Sequence, residues 1–367
     1  MTKIISDLKI TFPLVSIIIA TYNSEKTLHY VLKSVLKQSY PKKYTEIILV
    51  DGGSVDKTLE IARRYGCLVI HNPQVEPVFG KYLGYIKSKG RYVMYLDHDE
   101  VLLNRESIIS KVDALEECSH AKVVAGGGYR SPKEYPLIND YINDFGDPFS
   151  FFIYRLSKRD KFFIRDMKKK YTLILEKNKY LLFDLSGIKS LPIIELVNVG
   201  SMFDASLLKK YFPETKVKME LLPHFFYLLY LKYPEVIVMK DDPILHYSVD
   251  TLKKYLIKIS WRVKNNLYHV NNMGQSGFSG REKFQPAEFR LKKYLFIPYA
   301  FTLVFPFYDA IWLIITRKNI MYILHVPLTL YTASLIVFHL FLKKVGVTQP
   351  LKNYDESIII TNNKKIS

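Results

Sequence analysis

Asp97 and Asp99 stand two apart in YLDHDE, directly behind the apolar run YVMYL. Two carboxylates separated by one residue at the end of a buried strand can place hard oxygen ligands beside a divalent cation. Mg2+ or Mn2+ shared with phosphate oxygens suits such a pair. Two more polar clusters follow other apolar runs: Thr21-Tyr22-Asn23 after LVSIIIA, and Asp51-Gly52-Gly53-Ser54 after EIILV. The two glycines let the backbone turn tightly and approach a ligand closely. Ser54 suits the cap of a following helix, and Asp56 would reinforce its N-terminus. Any one cluster reads as an ordinary turn or solvated loop. Three, each at the end of an apolar run, are hard to explain as structure alone.

The elements that must position them follow from the alternation of short apolar runs and helical stretches. Strands are predicted at 14–20, 46–50, 67–70, 92–96 and 122–125, with helices near 25–38, 55–65, 79–89 and 105–117. Such alternation implies βαβ units and a mostly parallel sheet covered on both faces. Ligands of such sheets bind beyond the carboxyl ends of the strands, where all three clusters lie. LVSIIIA is too short for the core of a signal peptide and reads as the first strand.

The whole chain has 367 residues and a net charge of +18. With 49% hydrophobic residues it buries too much apolar surface to be disordered. Two cysteines, Cys67 and Cys118, exclude a disulfide scaffold and a multi-thiolate metal cluster, and read as reduced thiols. The charge is concentrated: residues 155–179 carry a net +7 and residues 251–293 a net +8. The second basic segment runs into the most hydrophobic part of the chain, which favours an anionic membrane over nucleic acid. No helix-turn-helix, zinc finger or aromatic RNA-binding motif is visible, so no nucleic-acid partner is expected.

Residues 294–316 contain one charge, Asp309, and residues 320–342 contain none. Each stretch of 23 residues would span roughly 34 Å as a helix, against about 30 Å of bilayer hydrocarbon. With three residues between them they read as a transmembrane hairpin. Lysines and arginines at its two ends outnumber those in its turn, placing the rest of the chain in the cytoplasm. Two buried or interfacial helices are the alternative, because Pro298, Pro306, Pro327 and Asp309 weaken both spans. Asp309 is expected to pair with a polar group such as His325 or to lie near an interface.

On VSIIIATYNSEKTLHYVLKSVLKQSY, EIILVDGGSVDKTLEIARRYG and GYIKSKGRYVMYLDHDE the chain resembles the family 2 glycosyltransferases. The resemblance is strong over about 14–105 and weaker over 195–265. It implies a GT-A fold and transfer of a sugar from a nucleotide donor, with inversion at the anomeric carbon. It would place Thr21, Tyr22, Asn23 and Glu25 around the nucleoside, and Asp51 on the base with Ser54 beside it. Lys81 stands where the family usually has the arginine of an Arg-Asn pair, and Tyr82 replaces the asparagine. Asp97 and Asp99 match the DxD motif, the first near the ribose and the second holding the metal on the diphosphate. His246 matches a histidine after the last strand that would complete the metal site or touch the diphosphate. Glu220 stands in the register of the general base, where Glu-Asp is usual and Glu220-Leu221 is found. Lys258 and Arg262, one turn apart, would face the diphosphate or anionic lipid.

The expected organisation is a GT-A domain over 1–248, its nucleotide-sugar half about 10–125 and its acceptor half about 126–248. A basic juxtamembrane helix and linker over 249–293, two transmembrane helices over 294–344 and a polar tail over 345–367 would follow. The resulting expectation is a multi-pass cell-membrane enzyme with a cytoplasmic catalytic domain. It would use Mg2+ or Mn2+, a UDP- or GDP-sugar, and a lipid-linked or membrane-associated acceptor. A polyprenyl-phosphate sugar synthase is a close variant, although Glu100-Val101-Leu102-Leu103 lacks that subgroup's Leu-x-His-Pro-like pattern. A processive polysaccharide synthase fits less well, since Gln-x-x-Arg-Trp is absent. A non-catalytic membrane adaptor with a degenerate fold is the reading from another class. Residues 131–192 carry no assignable motif; FFIYRLSKRDKFFIRDMKKKY within them suits either an amphipathic segment on lipid or a soluble helix with a charged face.

Overall fold

The structure, a computed structural model, describes residues 11–187, 199–218, 221–222, 225–268, 287–350 and 352. Its first half alternates strands β1 (Val15–Thr21), β2 (Thr45–Asp51), β3 (Leu68–His71) and β4 (Tyr92–Asp97) with helices α1 (Leu28–Leu36), α2 (Thr58–Arg64) and α3 (Pro77–Lys87). After it come β5 (Glu100–Leu102), α4 (Ser107–Glu117), β6 (Ala121–Ala125), β7 (Tyr129–Arg130), α5 (Ile138–Phe145), α6 (Pro148–Tyr154) and α7 (Phe163–Lys170). Then follow β8 (Thr172–Glu176), β9 (Tyr180–Asp184), β10 (Met202–Asp204), α8 (Ala205–Tyr211), α9 (Phe225–Tyr230), β11 (Glu235–Met239) and β12 (Ile244–His246). The helices α10 (Leu252–Tyr268), α11 (Ala287–Lys292), α12 (Phe296–Phe301), α13 (Val304–Arg317) and α14 (His325–Lys344) complete the chain.

Nine strands form one sheet in the order β3-β2-β1-β4-β10-β6-β11-β9-β8. The first four run parallel, as the strand–helix alternation predicts. Beyond them β10 lies antiparallel between β4 and β6, and β11 returns parallel to β6. All seven residues of β1 are buried, because helices cover both faces. Side chains alternate between the two sides: Ile18, Ile48, Val50, Val93 and Tyr95 enter one core, Ile17, Ile19, Leu49, Met94 and Leu96 the other. A small sheet, β5-β12-β7, sits beside the carboxyl end of β4. The architecture is the α/β, GT-A type that the resemblance implies.

A third core joins α5, α6 and α10 to the C-terminal helices through Tyr141, Ile142, Phe145, Phe151, Tyr255, Ile259, Leu313 and Leu328. The described part of the stretch without a motif, residues 131–187, thus supplies the platform on which those helices rest. Within it, the aromatic half of FFIYRLSKRDKFFIRDMKKKY is largely buried in α6 rather than spread on a surface.

The first expected span departs from the sequence-based reading. Residues 294–316 are not one helix: Phe289–Phe301 and Val304–Arg317 meet at 91°. Hydropathy measures composition and does not register such a break, which falls at Leu303 with φ 58°. The second stretch is continuous, and Ile320–Lys344 is long and apolar enough to cross a membrane. Asp309 pairs with Arg155, whose two guanidinium nitrogens reach its two oxygens at 2.5 and 2.7 Å. His325 meets Asp309 only through Tyr299, whose hydroxyl lies 2.6 Å from Asp309 and 2.9 Å from His325 Nε2.

Candidate functional site

Parallel pairing sets Thr21 opposite Asp51 and Ala20 opposite Asp97, so the three clusters end on one edge. The Asp51 carboxylate is almost fully buried. One oxygen accepts from Thr21 Oγ1 at 3.0 Å and Ser54 Oγ at 2.5 Å. The other accepts from the Gly53 and Ser54 amides at 2.9 and 2.8 Å. Gly53 adopts φ 89°, a left-handed conformation that glycine takes without steric cost. Asn23 ties this turn to the first cluster: its amide donates to Ser54 Oγ at 2.8 Å, and its side-chain oxygen accepts from Val55 N–H at 3.0 Å. The carboxylate of Glu25 accepts from the Lys57 amide at 3.1 Å. Tyr22 is half-buried between these loops. All six residues expected around the nucleoside therefore share one rim, and Asp51, Asn23 and Glu25 hold its shape.

At the end of β4, Lys81 from α3 lies 2.6 Å from Asp97. Burial by itself raises a carboxyl pKa, but the Lys81 ammonium more than offsets it and holds Asp97 down at about 2. A group depressed in this way contributes stability that is full above the ordinary carboxylate range and is lost as pH falls towards about 2. Lys81→Met removes the largest group that offsets burial, so the Asp97 pKa rises. Acid unfolding followed by tryptophan fluorescence is expected to begin at higher pH in that variant than in the wild type. An unchanged acid limb would show that the pair contributes nothing.

Asp99 approaches His246 from β12, with Oδ2 3.6 Å from Nε2. That is too long for a hydrogen bond. His246 Nδ1 lies 2.6 Å from Asn143 Oδ1, and Asn143 is oriented by its own donation to Ser131 Oγ at 3.0 Å. The network assigns the imidazole proton to Nδ1, leaving the Nε2 lone pair towards Asp99. Burial lowers the His246 pKa to about 4 despite Asp99, so the ring is neutral at pH 7. A carboxylate oxygen and an imidazole lone pair turned towards each other fit a divalent cation between them. Asp97, the third ligand expected, is drawn to Lys81 instead. Among the described residues no three His, Cys, Asp or Glu side chains converge as a metal site. Two protein ligands are sufficient where phosphate oxygens and water complete the shell, as is usual for Mg2+.

Three residues modify the sequence-based list. Arg262 is engaged by Asp147 at 2.6 Å, the residue that caps α6. Lys258, four residues earlier on α10, is held 3.1 Å from Ser248 Oγ. Burial and then Arg262 lower its pKa to about 7, against the opposing pull of Asp99 and Asp97. Of the two cations, Lys258 is therefore the one coupled to the acid pair. Glu100 carries no assigned role in the sequence reading, yet it braces the site. Its carboxyl accepts from Tyr129 O–H at 2.5 Å and from the Asp97 amide at 3.1 Å. Burial, reinforced by the Asp97 charge, raises it to about 8. Its signal in the sequence was only a third acid beside Asp97 and Asp99, with nothing to mark it as buried. Glu220 lies outside the described residues.

Residues 16–176 match the family model described as Glycosyl transferase family 2. Over those residues, somewhat under half of its length, the chain carries a domain of that family. Glycosyltransferase AglE of Haloferax volcanii is 35% identical over 95 residues, covering 24% of this chain and 31% of the relative. The poly(ribitol-phosphate) beta-N-acetylglucosaminyltransferase TarS of Staphylococcus aureus is 32% identical over 108 residues, 28% of this chain and 19% of TarS. The matches thus span about a third or less of these curated relatives. Among solved structures, the mannosyltransferase PcManGT of Pyrobaculum calidifontis, in complex with GDP-Man and Mn2+, aligns with a TM-score of 0.49. It is 13% identical over 90% of this chain and 88% of that one.

Proposed function

We propose that the protein transfers a sugar, with inversion, from a nucleoside-diphosphate sugar to a membrane-associated, lipid-linked acceptor, and that it does so with a divalent cation. The observation that carries this reading is that the nucleoside rim and the Asp97–Asp99 pair share one sheet edge, with His246 of β12 facing Asp99. Asp99 and His246 would hold Mg2+ or Mn2+, and the cation would neutralise charge developing on the departing diphosphate. Lys258 would add positive charge on the same side once a bound diphosphate favours its ammonium form. Lys81 keeps Asp97 ionised and oriented towards the donor's ribose. The rim built by Thr21, Tyr22, Asn23, Glu25, Asp51 and Ser54 would receive the nucleoside. The exposed apolar helices after residue 293 support a membrane-borne acceptor and a catalytic domain on the cytoplasmic side.

Binding of UDP and GDP to the detergent-purified protein, with and without Mn2+, tests this reading. Metal-dependent binding of one nucleotide is expected and would name the base. Folded protein that binds neither would overturn the reading and favour a non-catalytic adaptor.

Inversion also requires a base for the acceptor hydroxyl, and the family register assigns it to Glu220. Glu220→Gln is expected to reduce transfer by roughly 10²–10⁴-fold, the usual range for general-base catalysis. Metal-dependent nucleotide binding should persist in the same variant. Unchanged transfer would remove Glu220 from the mechanism while leaving the donor site intact.

A further inference from the structure

We infer that the C-terminal helices make the protein monotopic. They seat in one leaflet of an anionic bilayer, and the turn between α13 and α14 stays on the catalytic side. This refines the membrane element of the proposed function and rests on that reading.

The turn between the two apolar stretches is tied to the catalytic domain. Arg317, at the end of α13, lies 3.1 Å from Asp144 of α5 and 3.3 Å from Asp166 of α7. Arg317 and Asp144 are 1% and 0% exposed. A turn held in this way cannot lie across a bilayer from the domain that holds it. The 14 residues of α13 extend only about 21 Å, short of the roughly 30 Å of hydrocarbon. Its middle is anchored too, by Asp309 to Arg155.

The helix of spanning length is pinned in the same manner. At its start His325 Nδ1 lies 2.6 Å from the Tyr141 hydroxyl of α5. Near its end Tyr268 O–H donates to the His339 carbonyl at 3.0 Å, and Lys343 Nζ donates to the Leu267 carbonyl at 2.7 Å. Along its length α14 packs on α10, whose sequence LKKYLIKISWRVKNNLY carries five cations and no acid. A helix laid against such a partner is not surrounded by acyl chains.

The outer face of the bend is apolar instead. Leu303, Val304, Phe305, Tyr308, Trp312 and Ile315 are each 41–69% exposed. A continuous surface of this kind marks an interaction site in a folded protein. Its charge setting identifies the partner: between residues 289 and 352 there are eight lysines and arginines and a single acid, the buried Asp309. Lys293 and Lys318, which flank this face along the chain, and Lys344 at the end of α14 therefore have no exposed carboxylate beside them on this segment. An apolar face carrying Trp and Tyr within a cationic border matches the headgroup–acyl boundary of anionic lipid.

The test uses the full chain in two measurements. Vesicles of phosphatidylcholine with and without phosphatidylglycerol are sedimented with wild type and with the triple variant Phe305→Ser/Tyr308→Ser/Trp312→Ser. Wild type should sediment with the anionic vesicles, and the variant should lose about tenfold or more of that binding. Metal-dependent nucleotide binding should be unaltered in the variant. Separately, Lys318→Cys and Val55→Cys are made in a Cys67→Ser/Cys118→Ser background and labelled with a membrane-impermeant maleimide in sealed membranes of the expression host. Val55, 91% exposed on the catalytic domain, is the reference. Both cysteines should label from the same side. Labelling of Lys318→Cys from the side opposite to Val55→Cys would establish a spanning helix and overturn the inference. So would wild type that ignores vesicles, or a triple variant that merely dissociates a dimer, which would assign the face to a second copy. Because nucleotide binding is read on the same preparations, failure here is distinct from failure of the donor site.

Discussion

Asp99→Ala is expected to abolish metal-dependent nucleotide binding and to lower sugar transfer by roughly 10²–10³-fold, the scale seen when one electrostatic partner of a transition state is removed. Among the described residues, Asp99 is the carboxylate paired with the His246 lone pair, at 3.6 Å. Alanine leaves a single neutral nitrogen there, which holds Mg2+ or Mn2+ poorly. Asp97 cannot easily replace it, because Lys81 occupies its carboxylate at 2.6 Å. Titration of Mn2+ against nucleotide binding checks this outcome. If Asp99→Ala bound nucleotide as tightly as wild type with the same metal dependence, the metal would have to be assigned to other residues.

The second large effect is on stability. Lys111 of α4 forms a hydrogen-bonded ion pair with Asp242, their side chains 0% and 2% exposed. It also donates to Ser107 Oγ at 2.6 Å. Asp242 sits beside the Gly126–Gly127 backbone, where the Gly127 amide donates to its carbonyl at 2.8 Å. The pair thus fastens α4 to the loop between β11 and β12, and β12 carries His246. Lys111→Met strands a buried carboxylate, a change that costs about 3–5 kcal/mol. For a domain of this size that corresponds to a fall in Tm of roughly 6–15 °C. The double variant Lys111→Met/Asp242→Leu removes both charges and should recover most of the loss, since an apolar replacement of a buried pair is often neutral. Thermal unfolding by intrinsic fluorescence distinguishes the cases. A single variant within a degree or two of wild type would show that water reaches the site.

Much of the donor half was legible because its signals are local. A parallel strand buried on both faces is a continuous apolar run, so 14–20, 46–50 and 92–96 match β1, β2 and β4 to within a residue or two. The polar triplets behind those runs need only the strand direction to become one edge. The acid pair Asp97 and Asp99 was visible for the same reason.

Other features depend on contacts that no local pattern records. Glu100 looks like one more loop acid until β5 pairs with β12 and buries it under Tyr129. Arg262 looks like a phosphate ligand until α6 presents Asp147 to it. Asp309 looks like a flaw in a membrane span, and its partner Arg155 is 154 residues away. The described part of the stretch without a motif, residues 131–187, is packed against by the C-terminal helices, a task that many sequences perform.

By itself, then, the amino-acid order determined the α/β class, the sheet edge where chemistry collects and the apolar character of the C-terminal segment. Periodicity, turn residues and hydropathy are properties of neighbouring positions, and they act before any distant contact forms. The tertiary structure decided which acid faces the histidine, which lysine answers the acid pair, and that the first apolar stretch bends by 91°. Those outcomes depend on charge pairs and packing between residues far apart in the chain, whose energies exist only once the fold has brought them together.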